Sequence, residues 1–181
     1  YNSKIDRKIK LSDKCILLKL KVTKTLARQL KEPGAYVFLR KKNDSHHYDV
    51  PMSIMDTDDL NGYIYVAYQI IGTKTKRLNM ANNEVIVRGP YWNGLFGVKY
   101  LKVVRDANCL IVARGIAQAP SVLVMKKLIK NNNKITLIID KGRVGKVFIN
   151  NFIDKDIEII EGNLNKKEGR DLIKNILCNK K

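Results

Sequence analysis

Long apolar runs are missing from this 181-residue sequence. No stretch approaches the roughly 18–20 consecutive apolar residues that a membrane-spanning helix needs. Residues 1–5 contain no initiator Met, and they lack the basic end and apolar run of a signal peptide. We therefore expect a cytoplasmic protein without a membrane anchor, whose own start lies upstream of the first residue.

Cysteine and histidine are also scarce. Cys15, Cys109 and Cys178 form no C-x-x-C pair, and three cysteines do not supply the four ligands of a zinc site or an iron–sulfur cluster. Their odd number and apolar neighbours predict buried, reduced thiols. His46 and His47 lie in a polar loop, where solvated side chains are favoured over metal ligands. We predict no metal site in this chain.

Acidic residues are few, and the net charge is +18. Such an excess of positive charge raises nucleic acid as a partner. The excess is spread evenly, with +5 over residues 1–60, +6 over 61–120 and +7 over 121–181. A nucleic-acid stripe concentrates its charge and interleaves aromatic side chains. Solvated surface lysines are therefore the favoured interpretation.

Catalytic side-chain patterns are absent as well. The sequence contains no pattern typical of a catalytic Ser–His–Asp triad, and it contains no G-x-x-x-x-G-K-[ST] phosphate loop. Asp56, Asp58 and Asp59 crowd a segment that ends in Asn61-Gly62, a sequence typical of a hairpin turn. If the protein is an enzyme, a bound cofactor supplies the reactivity.

The first 105 residues predict an antiparallel β-barrel. Short segments rich in Tyr, Val and Ile alternate with Asn, Asp and Gly punctuation, as strands and turns do. The predicted strands cover residues 15–22, 35–40, 48–55, 62–71 and 84–88, and residues 74–80 predict a short helix. Five or six such strands in one segment are typical of a barrel or sandwich.

Residues 106–181 predict a parallel α/β domain. The continuous apolar run at residues 109–113 suits a strand that is buried on both faces, and residues 135–139 predict a second buried strand. Pro120 suits the first position of a helix that continues over residues 121–131. Further predicted elements are a helix over 144–153, a strand over 157–160 and a helix over 166–177. Three strands are fewer than the five or six of a doubly wound nucleotide-binding sheet, so we expect this domain to be incomplete.

Three segments in the first domain resemble a known family. Residues 33–40, followed by Val50-Pro51-Met52-Ser53, resemble the P-G-x-F…R-P-x-S run of dihydroorotate dehydrogenase electron-transfer subunits and related sulfide dehydrogenase subunits. Residues 72–78 resemble the G-x-G-T-x-x-L of that family, and residues 88–97 resemble its G-P-L-G-N-G-F. The order and spacing of these segments match the family over roughly residues 15–160. The family is ferredoxin reductase-like.

The resemblance implies a Greek-key barrel that holds FAD in residues 1–105. The residues that would line FAD are Val50, Pro51, Met52, Ser53, Ala67, Tyr68, Gln69, Lys74 and Thr75. The family usually has Arg where this chain has Val50, and Gly where it has Lys74. An ordinary edge strand and an ordinary turn are the alternative interpretation of these stretches.

A fourth segment, residues 113–120, resembles the G-G-x-G-x-A-P of the family, where a strand turns into a helix that meets the phosphates of NAD(P)H. Gly115, Ala117 and Pro120 would hold the nucleotide. Glycine lets the backbone approach a pyrophosphate closely, but Arg114 and Ala117 replace two of the three glycines. A plain strand–helix turn is the alternative. Asp140 is a candidate acceptor for a ribose hydroxyl, although a solvated side chain is favoured there.

By this resemblance the chain is an NAD(P)H-dependent flavin oxidoreductase. It would pass electrons from NAD(P)H through FAD to an iron–sulfur centre or a partner subunit. The cysteine-rich tail that holds the cluster in the family is not in this sequence, so we expect the cluster outside the chain. Two alternatives stay open, namely a basic nucleic-acid-binding barrel and a scaffold of the same fold that has lost its cofactor.

Overall fold

A computed structural model describes residues 1–153 and 156–179. The chain divides into two compact units, Tyr1–Val98 and Lys99–Lys181. The elements that precede residue 98 are β1 (Asn2–Ser12), β2 (Cys15–Lys21), α1 (Lys24–Gln29), β3 (Tyr36–Lys41), β4 (Val50–Ser53), β5 (Asp56–Asp58), β6 (Tyr63–Gln69), α2 (Thr73–Asn79) and β7 (Glu84–Tyr91). The later elements are α3 (Val98–Val103), β8 (Asn108–Arg114), α4 (Gln118–Lys130), β9 (Lys134–Asp140), β10 (Glu158–Glu161) and α5 (Lys167–Asn179).

The first unit is one antiparallel sheet that curls into a barrel. Its strand order is β4-β3-β7-β1-β2-β6-β5, so the two outermost strands, β4 and β5, follow each other in the chain. The buried residues Ile54 and Met55 join them. The Ile54 N–H donates to the carbonyl of Ala35 (3.0 Å), and the Met55 N–H donates to that of Tyr65 (2.9 Å). This link ties both ends of the sheet together and confirms the predicted barrel.

Strand β1 was not predicted from the sequence. Residues 6–10 of this strand are all exposed, so the alternation of apolar and polar residues that marks a half-buried strand is missing there. Pairing with β2 from Ile5 to Ser12, and with β7 at Asn2–Lys4, holds the segment extended. The strand therefore forms because of its neighbours and not because of its own pattern.

The second unit contains a parallel sheet, as predicted, and its strand order is β10-β9-β8. The central strand β9 is buried from Ile135 to Asp140, so both of its faces are covered. Helix α4 packs on β8 and β9, and Leu172 of α5 lies close to Ile138 and Gly162. None of the described helices has the length and apolar character of a membrane-spanning segment.

The predicted helix over residues 144–153 is wrong. A single 3-10 turn covers Gly142–Val144, and Gly145 follows with a φ of +80°, a left-handed conformation that ends the turn. The N–H of Phe148 then donates to the side-chain oxygen of Gln118 (3.2 Å), a bond outside any helical pattern. Buried Phe148 and Ile149 explain the apolar residues that suggested a helix.

Three smaller predictions are also corrected. Cys178 is exposed on α5, whereas Cys15 is buried and Cys109 is half-buried, so burial was predicted wrongly for Cys178.

Asp56 lies in β5 and is buried, so it is not a turn residue. Asp58 accepts turn hydrogen bonds from Asn61, as predicted. Helix α4 begins at Gln118, so Pro120 is its third residue. A first-turn N–H has no partner within the helix, and a proline there costs no hydrogen bond.

Candidate functional site

Strand β4 presents alternate residues to opposite faces of the barrel wall. Val50 and Met52 are buried, whereas Pro51 and Ser53 are exposed. The side chains of Val50 and Met52 therefore belong to the protein core, and a ligand would reach these two residues through the backbone. Because β4 is one of the two outermost strands of the sheet, no strand within residues 1–153 and 156–179 pairs with its outer edge.

Helix α2 packs against β3 and β4, which brings residues 72–75 to the side of the barrel that carries residues 50–53. The Thr75 hydroxyl accepts from the N–H groups of Ile71 (3.0 Å) and Gly72 (3.2 Å) and donates to the Gly72 carbonyl (3.0 Å). Lys74 is exposed, and its ammonium lies 5.7 Å from the centre of the Tyr48 ring. The predicted residues of both stretches therefore share one region.

An ion pair fixes α2 to the loop that precedes β4. The Asp44 side chain is 1% exposed. The Nε of Arg77 donates to both carboxylate oxygens of Asp44, at 2.9 and 3.0 Å. An Nη of Arg77 donates to one of these oxygens at 2.6 Å. These bonds lower the pKa of Asp44 to about 2, and the N–H of His46 also bonds to this carboxylate. This pair was not predicted, because local patterns of residues do not show contacts between positions 33 residues apart.

Gly72 shows where the region is open. Its φ is −119°, which any residue adopts, and a β-carbon built there meets no atom within 4 Å. Neither its backbone angle nor the space around it therefore requires a glycine, although Gly72 is the N-cap residue of α2. Open space at a glycine two residues before the exposed Lys74 would let a phosphate approach the backbone closely.

The third predicted stretch lies in β6. Ala67 and Tyr68 are buried and Gln69 is half-buried. The Tyr68 hydroxyl donates to the Asn79 side chain at the end of α2 (3.5 Å), and burial raises the pKa of Tyr68. Ala67 and Tyr68 therefore act within the wall, and only Gln69 has an accessible side chain.

A cavity of about 750 Å³ lies in the second unit, at the carboxyl ends of its parallel strands. The last residues of β8, β9 and β10, Arg114, Asp140 and Glu161, all line it, together with Lys141 and Arg143. In open α/β sheets, ligands bind outside the carboxyl ends of the strands. This cavity is the candidate nucleotide site of the second unit.

Gly115 follows Arg114 of the cavity lining but does not itself line the cavity. It is buried with a φ of +56°, and Gly142 has a φ of +49°. A β-carbon on Gly142 would lie 3.3 Å from the backbone of Gly115, so these glycines let the two loops touch. Ala117 is exposed and Pro120 is half-buried, but neither lines the cavity.

Asp140 is buried and not solvated, which corrects the expectation from the sequence. It is 6% exposed. One of its oxygens accepts the N–H of Gly142 (2.8 Å), and the other accepts the N–H of Leu164 (3.0 Å) and lies 3.2 Å from the Arg114 Nε. Asp140 therefore holds three neighbouring segments together.

Solved structures resemble the whole chain. A NADH-dependent reduced ferredoxin-NADP oxidoreductase, studied for flavin-based electron bifurcation, matches with a TM-score of 0.77 and 17% identity, over 97% of this chain and 63% of that chain. The chain has the ferredoxin reductase-like fold. The ferredoxin reductase of carbazole 1,9a-dioxygenase matches with a TM-score of 0.70 and 12% identity, over 92% of this chain and 51% of that one.

A ferredoxin-NADP+ reductase from Plasmodium falciparum matches this ferredoxin reductase-like chain with a TM-score of 0.66 and 16% identity, over 99% of this chain and 82% of that one. The chain thus spans less than two thirds of the first two structures. No protein-family profile and no curated protein matches the sequence.

Proposed function

We propose that the first unit binds FAD and that the chain is the flavin module of an NAD(P)H-dependent oxidoreductase. One observation carries the proposal: the Asp44–Arg77 ion pair and the packing of α2 hold residues 50–53 beside residues 72–75, with open space above Gly72. These are the two stretches that the family resemblance assigns to the flavin and its pyrophosphate.

The residues of the first unit suit FAD in three respects. The exposed Ser53 hydroxyl and the outer edge of β4 offer hydrogen bonds to a flavin ring. Gly72 admits the pyrophosphate, and Lys74 provides a positive charge for it. Because the Thr75 hydroxyl is occupied within its own turn, Thr75 would contribute its backbone N–H. Val50, Met52, Ala67 and Tyr68 would support the site from within the wall.

When bound, FAD supplies the redox chemistry, because it accepts two electrons and releases them one at a time. The chain then binds and orients the group and keeps water from it. The similar structures are a ferredoxin-NADP oxidoreductase and ferredoxin reductases, which supports an iron–sulfur protein or subunit as the electron acceptor. The finer assignment that we propose is an electron-transfer subunit like that of dihydroorotate dehydrogenase.

The proposal is tested by FAD titration of the purified protein, followed through the quenching of flavin fluorescence and the visible flavin spectrum. We expect Lys74→Gln to weaken FAD binding about tenfold, since a charge-assisted bond to phosphate contributes about 1.5–3 kcal/mol. Lys24→Gln removes the same charge from an exposed residue of α1, a helix that packs on β5 and β6, and is the matched control.

Gly72→Val gives the sharpest test. Its β-carbon meets open space in the protein, so the melting temperature should fall only by the small cost of valine at the N-cap of α2, while FAD affinity falls at least tenfold. Equal FAD binding by this variant would refute the pyrophosphate position. A protein that takes up no FAD at all would favour the scaffold alternative.

A further inference from the structure

Strand β8 is less buried than its sequence predicts. The apolar run over residues 109–113 suits a strand that is covered on both faces. Of that run, only Ala113 is buried, Val112 is 43% exposed and the other three residues are half-buried. The neighbouring strand β9 is buried from Ile135 to Asp140. The apolar side chains of β8 therefore lack a cover that the centre of the sheet has.

The outer edge of β8 also lacks a strand partner. Residues 108–114 pair with β9, and the order β10-β9-β8 leaves β8 at the end of the sheet. No strand within residues 1–153 and 156–179 pairs with its other edge. Alternate N–H and C=O groups of an edge strand point away from the sheet, and such a row is a template for a further strand.

The other edge strands in the described part of the chain carry features that discourage such pairing. Strand β4 contains Pro51, which has no N–H to donate, and β5 has three residues, of which two are aspartates. Strand β10 has four residues and a glutamate at each end. Strand β8 has seven residues, and residues 108–113 contain no proline, glycine or charged side chain. Since short strands, prolines and charges protect exposed edges, β8 is the unprotected one.

The apolar surface continues from β8 onto α5. A cavity of about 90 Å³ is lined by Cys109 and Leu110 of β8 and by Ile176 and Leu177 of α5. Leu177 is 56% exposed. Contiguous exposed apolar side chains mark interaction surfaces, and here they lie beside a free strand edge.

The sequence of β8 is complementary to a second copy of itself. In a two-fold arrangement centred on Ile111, the two strands run antiparallel, and each residue faces the one equally far beyond the centre. Leu110 then faces Val112 of the copy, and Arg114 faces the uncharged Asn108. No like charges lie directly opposite each other, an arrangement that would destabilise the pair.

The ends of the strand bring opposite charges together. Antiparallel pairing places the carboxyl end of one β8, with its 49% exposed Arg114 side chain, beside the amino end of the other. Asp106 is exposed just before that amino end. The guanidinium of Arg105 donates to two carbonyls of its own segment, and Lys134 lies on β9, one strand further from the copy. Asp106 is therefore the charge that Arg114 of the copy approaches.

We propose that β8 pairs with β8 of a second copy of this chain about a two-fold axis at Ile111, so that the two parallel sheets join into one. The copy covers Val112 and Leu110, and the outward backbone groups of the two strands bond to each other. The inference goes beyond the proposed function and does not depend on FAD binding.

Sedimentation velocity over a concentration series tests the proposal on the full chain. We expect a species of twice the 20.7 kDa chain mass, whose share rises with concentration. The buffer contains about 0.15 M salt, since a Debye length of about 8 Å screens the repulsion between two chains of net charge +18.

Charged variants locate the interface. Val112→Lys places a charge on the free edge and should leave the chain monomeric at concentrations where the unchanged chain is a dimer. Because Val112 is already 43% exposed, the fold should be kept, which circular dichroism checks. Ile159→Lys is the matched control. Ile159 is 37% exposed on β10, the opposite edge of the same sheet, and this variant should stay dimeric.

Disulfide trapping gives a second measurement. Ile111→Cys places one thiol on the two-fold axis, opposite itself, in a chain whose Cys109 and Cys178 are replaced by serine. Residues directly opposite in an antiparallel pair are close enough for a disulfide. We expect a covalent dimer on a non-reducing gel after oxidation, whereas Ile159→Cys in the same background should remain a monomer.

Two results would overturn the inference. One is a single 20.7 kDa species over the whole concentration series, which would leave the edge of β8 to another polypeptide. The other is a dimer that persists in Val112→Lys and is not trapped by Ile111→Cys, which would place the interface elsewhere. A monomeric chain that binds FAD refutes the dimer alone, and a dimeric chain that takes up no FAD refutes the flavin proposal alone.

Discussion

Asp44→Asn tests the ion pair that positions the candidate flavin site. The pKa of Asp44 falls from 3.8 to about 2 in the folded protein, chiefly through its hydrogen bonds with Arg77. Since one pKa unit corresponds to about 1.4 kcal/mol, the ionised carboxylate contributes about 2 kcal/mol to stability at neutral pH. The variant also leaves Arg77, which is 28% exposed, without its partner. We expect the free energy of unfolding to fall by about 2 kcal/mol at pH 7.

The pH dependence of the unfolding free energy distinguishes loss of the Asp44–Arg77 ion pair from loss of packing. A carboxylate whose folded pKa is depressed contributes its full stabilisation above the unfolded pKa. The stabilisation is lost as the pH falls through the folded pKa, here from about pH 4 to pH 2. The difference between the original chain and Asp44→Asn should therefore be constant from pH 5 to 8 and shrink on acidification.

Urea unfolding followed by tryptophan fluorescence measures this difference. Trp92 is the only tryptophan of the sequence, and its indole N–H donates to the Gln29 carbonyl (2.9 Å), so it reports on the first unit. Asp13→Asn is the control, because Asp13 pairs with Lys10 at 93% side-chain exposure and such pairs contribute little. Equal stability of Asp44→Asn and the original chain at pH 7 would refute the reasoning.

Two further predictions concern other parts of the chain. Gly34→Ala should lower the free energy of unfolding by about 2 kcal/mol or more, because Gly34 has a φ of +84° and a β-carbon there would lie 2.8 Å from that of Leu95; unchanged urea unfolding would contradict this. Thiol labelling of the native chain should modify exposed Cys178 first and buried Cys15 last. Because burial raises the pKa of Cys109, its labelling should keep accelerating at a higher pH than that of free cysteine; mass spectrometry of the labelled peptides checks the order.

The sequence by itself determined the architecture. Apolar runs such as residues 109–113 and the alternation of apolar and basic residues over 18–22 are local signals, since the spacing of buried residues follows from strand geometry. Strands β2, β3, β6, β8 and β9 therefore lie close to their predicted positions. Residues 72–75 also lie on the same side of the barrel as residues 50–53, beside β4.

Only the tertiary structure decided which side chains are available. The sequence predicted a solvated Asp140. In the structure this residue is buried, and it bonds to the backbone of Gly142 and Leu164 and contacts Arg114. Strand β1 forms through pairing with β2, and Arg77 reaches Asp44 across 33 residues. Contacts between distant segments decide burial, charge pairing and open space, and the local order of residues does not encode them.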